Sequence, residues 1–113
     1  MSDCLFCKII KGEVPSTKVY EDEYVLAFKD IDPAAPVHIL IIPKIHIESL
    51  NDVNEENIEY IAKTQLAVNE VAKICNVKEE GYRIICNTGE NGGQVVHHIH
   101  YHLLGGKKLG SKI

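Results

Sequence analysis

The sequence predicts an α+β fold, with five strands in an antiparallel sheet and with one short and one long helix. Several short runs are apolar and β-branched, which indicates strands, and one long segment has apolar residues at every third or fourth position, which indicates a helix. Successive strands are joined by short connections, which favours antiparallel pairing. The predicted order is α-β-β-β-α-β-β, and we expect both helices to lie on one face of the sheet.

The first half of the chain is predicted to hold the short helix and three strands. Residues 4–11 have apolar side chains at helical spacing and are followed by a glycine, which predicts the short helix. Two β-type runs come next, at residues 17–20 and 24–28, with an acidic turn between them. Residues 37–42 are β-branched and are followed by a proline, so we expect them to form a buried strand.

The second half is predicted to hold the long helix and two strands. Apolar residues follow the helical spacing over residues 58–75. A glycine precedes a strand at residues 82–87, and a last strand at residues 95–104 ends at a pair of glycines. We expect one domain over residues 1–113, with residues 107–113 as a loosely held tail.

Composition excludes several classes of protein. Of the 113 residues, 45% are hydrophobic and 25% are charged, as in an ordinary globular domain. Lys and Arg number 12 against 16 Asp and Glu, and the net charge of −4 without a basic block argues against a nucleic-acid partner. The N-terminus lacks a signal-peptide pattern, and the longest aliphatic run, residues 39–42, is too short to span a bilayer. We therefore expect a cytoplasmic protein without a membrane partner and with reduced cysteines.

Four of the six histidines lie within residues 97–102. In the predicted strand, alternate side chains point the same way, so His98, His100 and His102 share one face. Three imidazoles in a row suit a core poorly, because each ring needs partners for two nitrogens. A solvated strand face and a metal site are the alternatives. We favour a catalytic row, because imidazole titrates near neutrality and acts as a nucleophile when a neighbour fixes its tautomer.

A glycine-rich segment, residues 87–94, directly precedes these histidines. Glycines let the backbone approach a ligand and expose amide N–H groups to an anion. A Gly-Gly pair alone is usually only a turn. Next to a histidine row, the segment is a candidate phosphate cradle.

Cys4 and Cys7 form a Cys-x-x-Cys pair near the N-terminus. This spacing suits two thiolates on one tetrahedral metal ion. A redox pair and two ordinary core cysteines are the alternatives, although redox pairs usually open a helix after a strand and no strand precedes Cys4.

Seven residues resemble the signature of the histidine triad (HIT) family, in which histidines alternate with apolar residues: His98-Ile99-His100-Tyr101-His102-Leu103-Leu104. The family's Gly-Gly-Gln is matched by Gly92-Gly93-Gln94. Three further segments match in order: Phe28-Lys29-Asp30-Ile31, Ala35-Pro36-Val37-His38 and Ile41-Ile42-Pro43-Lys44-Ile45-His46. The resemblance covers residues 4–106 and is strongest to the histidine triad nucleotide-binding (Hint) branch, the purine nucleoside phosphoramidate hydrolases.

The resemblance implies a HIT-like fold, a homodimer and a purine nucleotide substrate such as a derivative of AMP or GMP. It implies that His100 attacks the α-phosphorus and forms a nucleotidyl-histidine, which water then hydrolyses. His102 would contact the phosphate oxygens and assist the leaving group. His38 would hydrogen-bond within the row, which begins at His98, and would hold the tautomer of the nucleophile.

The resemblance also implies a substrate pocket. Asp30 would accept the ribose hydroxyls, although an Asp at this place also suits a turn. An apolar slot for the base would be formed by Leu5, Phe6, Ile9, Phe28 and Ile31, some of which could equally be core residues. The phosphate would lie near Asn87, Gly93, Gln94 and Val95. Val95 stands where animal members carry a serine, which puts leaving-group preference in question, and His97 stands where a tyrosine is common.

Some HIT relatives hold zinc with a cysteine pair and two histidines. Carried over to this chain, the ligands are Cys4, Cys7, His46 and His98. Four protein ligands leave no open position, so the zinc would be structural. The remaining cysteines, Cys75 and Cys86, lack such a pattern and are expected to be small buried hydrophobes.

Phosphoramidate hydrolysis is therefore the function that the sequence favours. One alternative is hydrolysis of dinucleoside polyphosphates, the activity of the Fhit branch of the family. Another is a nucleotide-binding or interaction module without catalysis, for which replacement of His100 would leave the function unchanged.

Overall fold

A computed structural model describes residues 3–111 of the chain. The predicted order of elements is confirmed: α1 (Leu5–Ile10), β1 (Lys18–Glu21), β2 (Val25–Lys29), β3 (Val37–Pro43), a 3-10 turn (Leu50–Asp52), α2 (Ile58–Ile74), β4 (Tyr82–Ile85) and β5 (Tyr101–Gly105). The five strands form one antiparallel sheet in the order β1-β2-β3-β5-β4. The α+β class and the five-stranded sheet are likewise as the sequence predicts.

Strand β3 pairs with β5, and this pairing positions the histidines. Leu40 lies opposite His102, and His38 lies opposite Leu104. Because side chains two positions apart on a strand share a face, His38, Leu40, His102 and Leu104 all point to the same side of the sheet. The topology therefore brings together two histidines that are 64 residues apart in the chain.

The prediction that both helices lie on one face is wrong. One face of β2 and β3 packs on α2, in a cluster that includes Val25, Ala27, Ile39, Ile41, Val68 and Val71. The opposite face packs on α1, in a cluster of Phe6, Ile9, Leu26, Phe28, Leu40 and Ile42. The physical reason is that β2 and β3 are apolar almost without interruption, so both of their faces need a cover.

The last strand is also shorter than predicted, because residues 95–100 lie outside the sheet. A longer β5 would have to pair with Pro43 of β3, which has no backbone N–H to donate to it. The backbone before β5 bonds elsewhere: Ile99 donates its N–H to the carbonyl of Ile47 at 2.6 Å. The strand predicted at residues 82–87 similarly ends at Ile85.

Other boundaries agree within one or two residues. In the predicted tail, the carbonyl of Gly110 accepts a hydrogen bond from Arg83 Nη2 at 2.5 Å. Neither helix in the described part of the chain is long and apolar enough to cross a membrane.

Candidate active site and metal centre

The histidine row lies on the face of the sheet that α1 covers. Although His98 and His100 precede β5, both remain in the row. Phe6 of α1 packs edge-on against both rings, with centroids 5.8 Å from His98 and 5.1 Å from His100. The rings of His100 and His102 lie 4.9 Å apart, and His38 contacts His102 from β3. The structure therefore brings together all four histidines that the sequence selected for the catalytic site.

His100 has one nitrogen engaged and one free. Its Nδ1 lies 2.7 Å from the carbonyl oxygen of His98. A carbonyl can only accept, so Nδ1 carries the proton and Nε2 keeps its lone pair. The side chain is 6% exposed, and burial lowers the pKa of His100. The ring is therefore a neutral imidazole with a bare Nε2, the form that a nucleophile needs.

His38 does not contact His100 in the way that the sequence suggested. Its Nε2 lies 3.0 Å from Nδ1 of His102, so it acts on the third histidine of the row. The tautomer of His100 is held by the His98 carbonyl instead. Burial, with smaller effects from His100 and His38, lowers the pKa of His102 to about 4, and this ring is neutral as well.

Asp30 follows β2 and faces the same histidines. Its Oδ2 lies 3.4 Å from His38 Nε2, while its Oδ1 accepts the N–H of Asp32 at 2.8 Å. The carboxylate therefore takes part in the turn and also approaches His38, while its role toward ribose stays a prediction.

The predicted apolar slot is only partly assembled. Phe6, Ile9 and Phe28 are buried together, with the two phenylalanine rings 5.6 Å apart in an edge-on arrangement. Leu5 is 45% exposed and Ile31 is 99% exposed, so neither packs with that group. The first three residues are thus part of the core beside the histidines, and the other two are exposed apolar side chains.

The glycine-rich loop is held by Gln94. Its Oε1 accepts the N–H of Gly89 at 3.0 Å, and its Nε2 donates to the carbonyls of Glu48 at 2.6 Å and Val96 at 3.1 Å. Within the loop, Gly92 lies so close to Thr88 that a Cβ at Gly92 would overlap the Thr88 carbonyl oxygen.

The remaining residues of this segment differ in exposure. Asn87 is half-buried, Gly93 has a left-handed φ of 83°, and Val95 is 86% exposed. His97 is exposed. All three hydrogen bonds of the Gln94 side chain are therefore made with the backbone of this loop and of Glu48.

The cysteine pair and two histidines form a second centre at the start of α1, which shares His98 with the row. Cys4 is the N-cap of the helix, and its Sγ accepts the N–H of Cys7 at 3.3 Å. His98 Nδ1 lies 3.3 Å from Cys4 Sγ and 3.6 Å from Cys7 Sγ, and His46 Nδ1 lies 3.5 Å from Cys7 Sγ. All four ligand atoms lie within 4.8 Å of one another.

This geometry fits a tetrahedral zinc ion. Zinc bonds of about 2.3 Å to sulfur and 2.0–2.1 Å to nitrogen place the two ligand atoms about 3.5 Å apart. His98 is prepared for ligation, because its Nε2–H donates to the carbonyl of Pro43 at 3.0 Å and its Nδ1 stays bare. Burial lowers the pKa of His98 to about 4, so the ring is neutral, as a metal ligand must be.

The backbone acceptors of this region could not be predicted from the sequence. The carbonyls of Pro43, Glu48 and His98 orient His98, Gln94 and His100, respectively. Any residue type could supply a carbonyl, so only the folded backbone identifies these positions.

Known proteins are similar to this chain over most of its length. The family model described as HIT domain matches residues 11–109. The chain is 48% identical over 108 residues to a purine nucleoside phosphoramidase of Escherichia coli K12, covering 96% of this chain and 91% of that protein. It is 50% identical over 110 residues to a 14 kDa zinc-binding protein of Zea mays, covering 96% and 85%.

Solved structures agree. A HIT family hydrolase from Clostridium thermocellum is 54% identical, with a TM-score of 0.96 over 100% of this chain and 98% of that one. A histidine triad protein from Clostridium difficile is 48% identical, with a TM-score of 0.95 and the same coverage. With its fold, its histidine row and these relatives in agreement, the chain belongs to the HIT family, among its hydrolases.

Proposed function

We propose that this protein hydrolyses purine nucleoside 5′-phosphoramidates through a nucleotidyl-histidine intermediate. The observation that carries the proposal is His100, a buried neutral imidazole with its Nδ1–H bound to a carbonyl and its Nε2 free. Such a nitrogen can attack phosphorus without first losing a proton. The name of the Escherichia coli relative, a purine nucleoside phosphoramidase, supports the substrate class.

The reaction proceeds in two displacements at the α-phosphorus. In the first, the Nε2 lone pair of His100 bonds to phosphorus while the bond from phosphorus to the leaving nitrogen breaks, and the amine departs with one added proton. In the second, a water oxygen bonds to phosphorus, the bond to Nε2 breaks, and the water gives up one proton. The two protons balance, so one water yields a nucleoside monophosphate and an amine.

The neighbouring groups bind and orient the nucleotide. His102 contacts the phosphate oxygens and assists departure of the amine, from a ring centred 4.9 Å from the nucleophile. Asp30 accepts hydrogen bonds from the ribose hydroxyls, and Phe6, Ile9 and Phe28 line the slot for the base. Leu5 and Ile31 are exposed and lie outside that group. Asn87, Gly93 and Val95 lie around the phosphate, in the loop that Gln94 holds.

We also propose a structural zinc ion held by Cys4, Cys7, His46 and His98. The ligand spacing fits such an ion, and the maize relative is named as a zinc-binding protein. When bound, the ion would tie α1 to the segment before β5. A single domain, a homodimer and a cytoplasmic location complete the proposal. These three rest on the resemblance to the family and on the sequence, and analytical ultracentrifugation tests the dimer.

The proposal is tested by following AMP release from adenosine 5′-phosphoramidate and from diadenosine polyphosphate. His100→Ala is compared with His97→Ala, a control that removes an exposed histidine outside the row. We expect wild-type turnover of the phosphoramidate, a loss of at least roughly a hundredfold in His100→Ala and no change in His97→Ala. Intact-mass measurement of wild type quenched and denatured in base, where the acid-labile bond from phosphorus to histidine nitrogen survives, should detect the added mass of one nucleoside monophosphate.

Each other outcome points elsewhere. Near wild-type activity of His100→Ala excludes this residue as the nucleophile. Preference for the polyphosphate assigns the chain to dinucleoside polyphosphate hydrolysis. Bound nucleotide without turnover of either substrate indicates a binding module.

A further inference from the structure

The loop between β2 and β3 places a backbone N–H against a histidine of the site. The N–H of Ala34 lies 3.0 Å from Nδ1 of His38. A backbone N–H can only donate, so Nδ1 of His38 must accept and carries no proton. With Nδ1 accepting, the ring proton of His38 is on Nε2.

That proton fixes the next ring. His38 Nε2 lies 3.0 Å from His102 Nδ1 and 3.4 Å from Asp30 Oδ2, and both of these atoms can accept it. A proton on His102 Nδ1 would face the proton on His38 Nε2, so His102 Nδ1 must be bare. The proton of His102 is consequently on its Nε2.

His100 and His102 therefore have opposite tautomers although their rings are neighbours. His100 carries its proton on Nδ1 because the His98 carbonyl accepts it, and its Nε2 is bare. His102 carries its proton on Nε2 because of the chain of bonds that begins at Ala34. One ring thus offers a lone pair and the next offers an N–H donor, the two functions that displacement at an anionic phosphate requires.

We propose that the backbone N–H of Ala34 is the positioning group that makes His102 a hydrogen-bond donor toward the phosphate and the leaving amine. Without this N–H, His38 could carry its proton on Nδ1 and accept from His102 Nδ1–H. Nε2 of His102 would then present a lone pair to the anionic substrate. The catalytic consequence rests on the proposed function, whereas the tautomers are properties of the free protein.

The loop is built to keep this N–H in place. Ala34 follows Pro33 and is separated from Pro36 by one residue, and prolines fix the backbone on both sides. The N–H of Asp30 donates to the carbonyl of His38 at 3.0 Å, which ties the start of the loop to the start of β3. The donor is therefore held between two anchored ends.

The test removes the Ala34 N–H while retaining its methyl group, by incorporating lactic acid at this position so that an ester replaces the amide. Ala34→Pro is a second variant without the N–H, and Ala34→Gly is the control that keeps it. Nitrogen-15 NMR of the imidazoles reads the tautomers of His38 and His102 directly, without substrate. Turnover of adenosine 5′-phosphoramidate is measured on the same samples.

We expect single tautomers in wild type and Ala34→Gly, and a mixture at both histidines in the ester. One neutral hydrogen bond changes such a ratio by roughly three- to tenfold, and AMP release should fall by a similar factor. Unchanged tautomers in a folded ester variant overturn the proposal, and so does a tautomer shift that leaves turnover at the wild-type rate. If wild type itself hydrolyses no phosphoramidate, the proposed function fails, and the NMR result still decides whether Ala34 sets the tautomers.

Discussion

Replacing Gln94 with alanine separates two roles for this residue, contact with the substrate and support of the glycine-rich loop. The side chain is 8% exposed and makes three hydrogen bonds, with Gly89, Glu48 and Val96. Each of these hydrogen bonds stabilises the folded state by about 1 kcal/mol. Glu48 is an exposed residue, so in the alanine variant water can replace the Gln94 amide at its carbonyl. We therefore expect Gln94→Ala to lower the free energy of unfolding by roughly 2 kcal/mol.

The assay is urea unfolding of Gln94→Ala beside Asn91→Ala, a change of an exposed residue in the same loop. For a chain of this size, the expected loss corresponds to a fall in Tm of roughly 10 °C. Asn91→Ala should have the same free energy of unfolding as wild type. An unfolding free energy of Gln94→Ala within about 0.5 kcal/mol of wild type, combined with weaker AMP binding, would refute the assignment to loop support.

Four further outcomes are expected. Burial lowers the pKa of His100, so the ring stays neutral as the pH falls through 6.5, and kcat/KM should stay level from pH 8 to below 6.5; a fall centred at or above 6.5 would contradict this. His102 has a pKa of about 4 in the fold against 6.5 in the unfolded chain, so the unfolded chain binds the proton first as the pH falls. The contribution of His102 to stability should therefore be complete above pH 6.5 and lost between pH 6.5 and 4, which urea titrations at stepped pH would measure. Asp30→Ala should weaken binding of AMP more than of deoxy-AMP, by roughly tenfold in titration calorimetry, and an equal loss for both would remove the ribose role. Purified protein should contain one zinc per chain by elemental analysis and Cys7→Ser should contain less and melt earlier, whereas a Cys75→Ser control should retain the metal; a stable, zinc-free wild type would refute the centre.

The parts of the fold that the sequence predicted are those set by local spacing. Helix α2 and strands β2 and β3 follow from periodicity alone, because their apolar residues recur over long or uninterrupted runs. The side of the sheet on which α1 lies could not be predicted in this way. Spacing identifies the apolar stripe of a helix but not the surface that receives it, and that surface exists only after β2 and β3 pair.

The error at residues 95–100 has a different origin. The alternation of histidines and apolar residues continues without a break from His98 to His102, so the sequence carries no mark of the point at which β5 begins. That point depends on Pro43 of the neighbouring strand, which has no N–H for a longer ladder. Where a neighbouring strand determines the end of a strand, the residue pattern of the strand itself cannot predict that end.

The candidate site divides in the same way. The motif selected His38, His98, His100 and His102, and the structure brings these side chains together. Only the distances in the structure show which histidines are hydrogen-bond partners, because His38 contacts His102 and not His100. The groups that set their protons are backbone atoms, and a side-chain pattern contains no information about them.

The proton on His38 also has a consequence for metal selectivity. Asp30, His38 and His102 offer a carboxylate oxygen and two imidazole nitrogens within 4.8 Å, a donor set that first-row transition metals take up readily. A protonated nitrogen cannot ligate, and the proton cannot move to Nδ1 while the N–H of Ala34 points there. The proposed zinc ion would therefore be directed to the sulfur-containing centre at the start of α1, and the set of Asp30, His38 and His102 beside the nucleophile would take up no second ion.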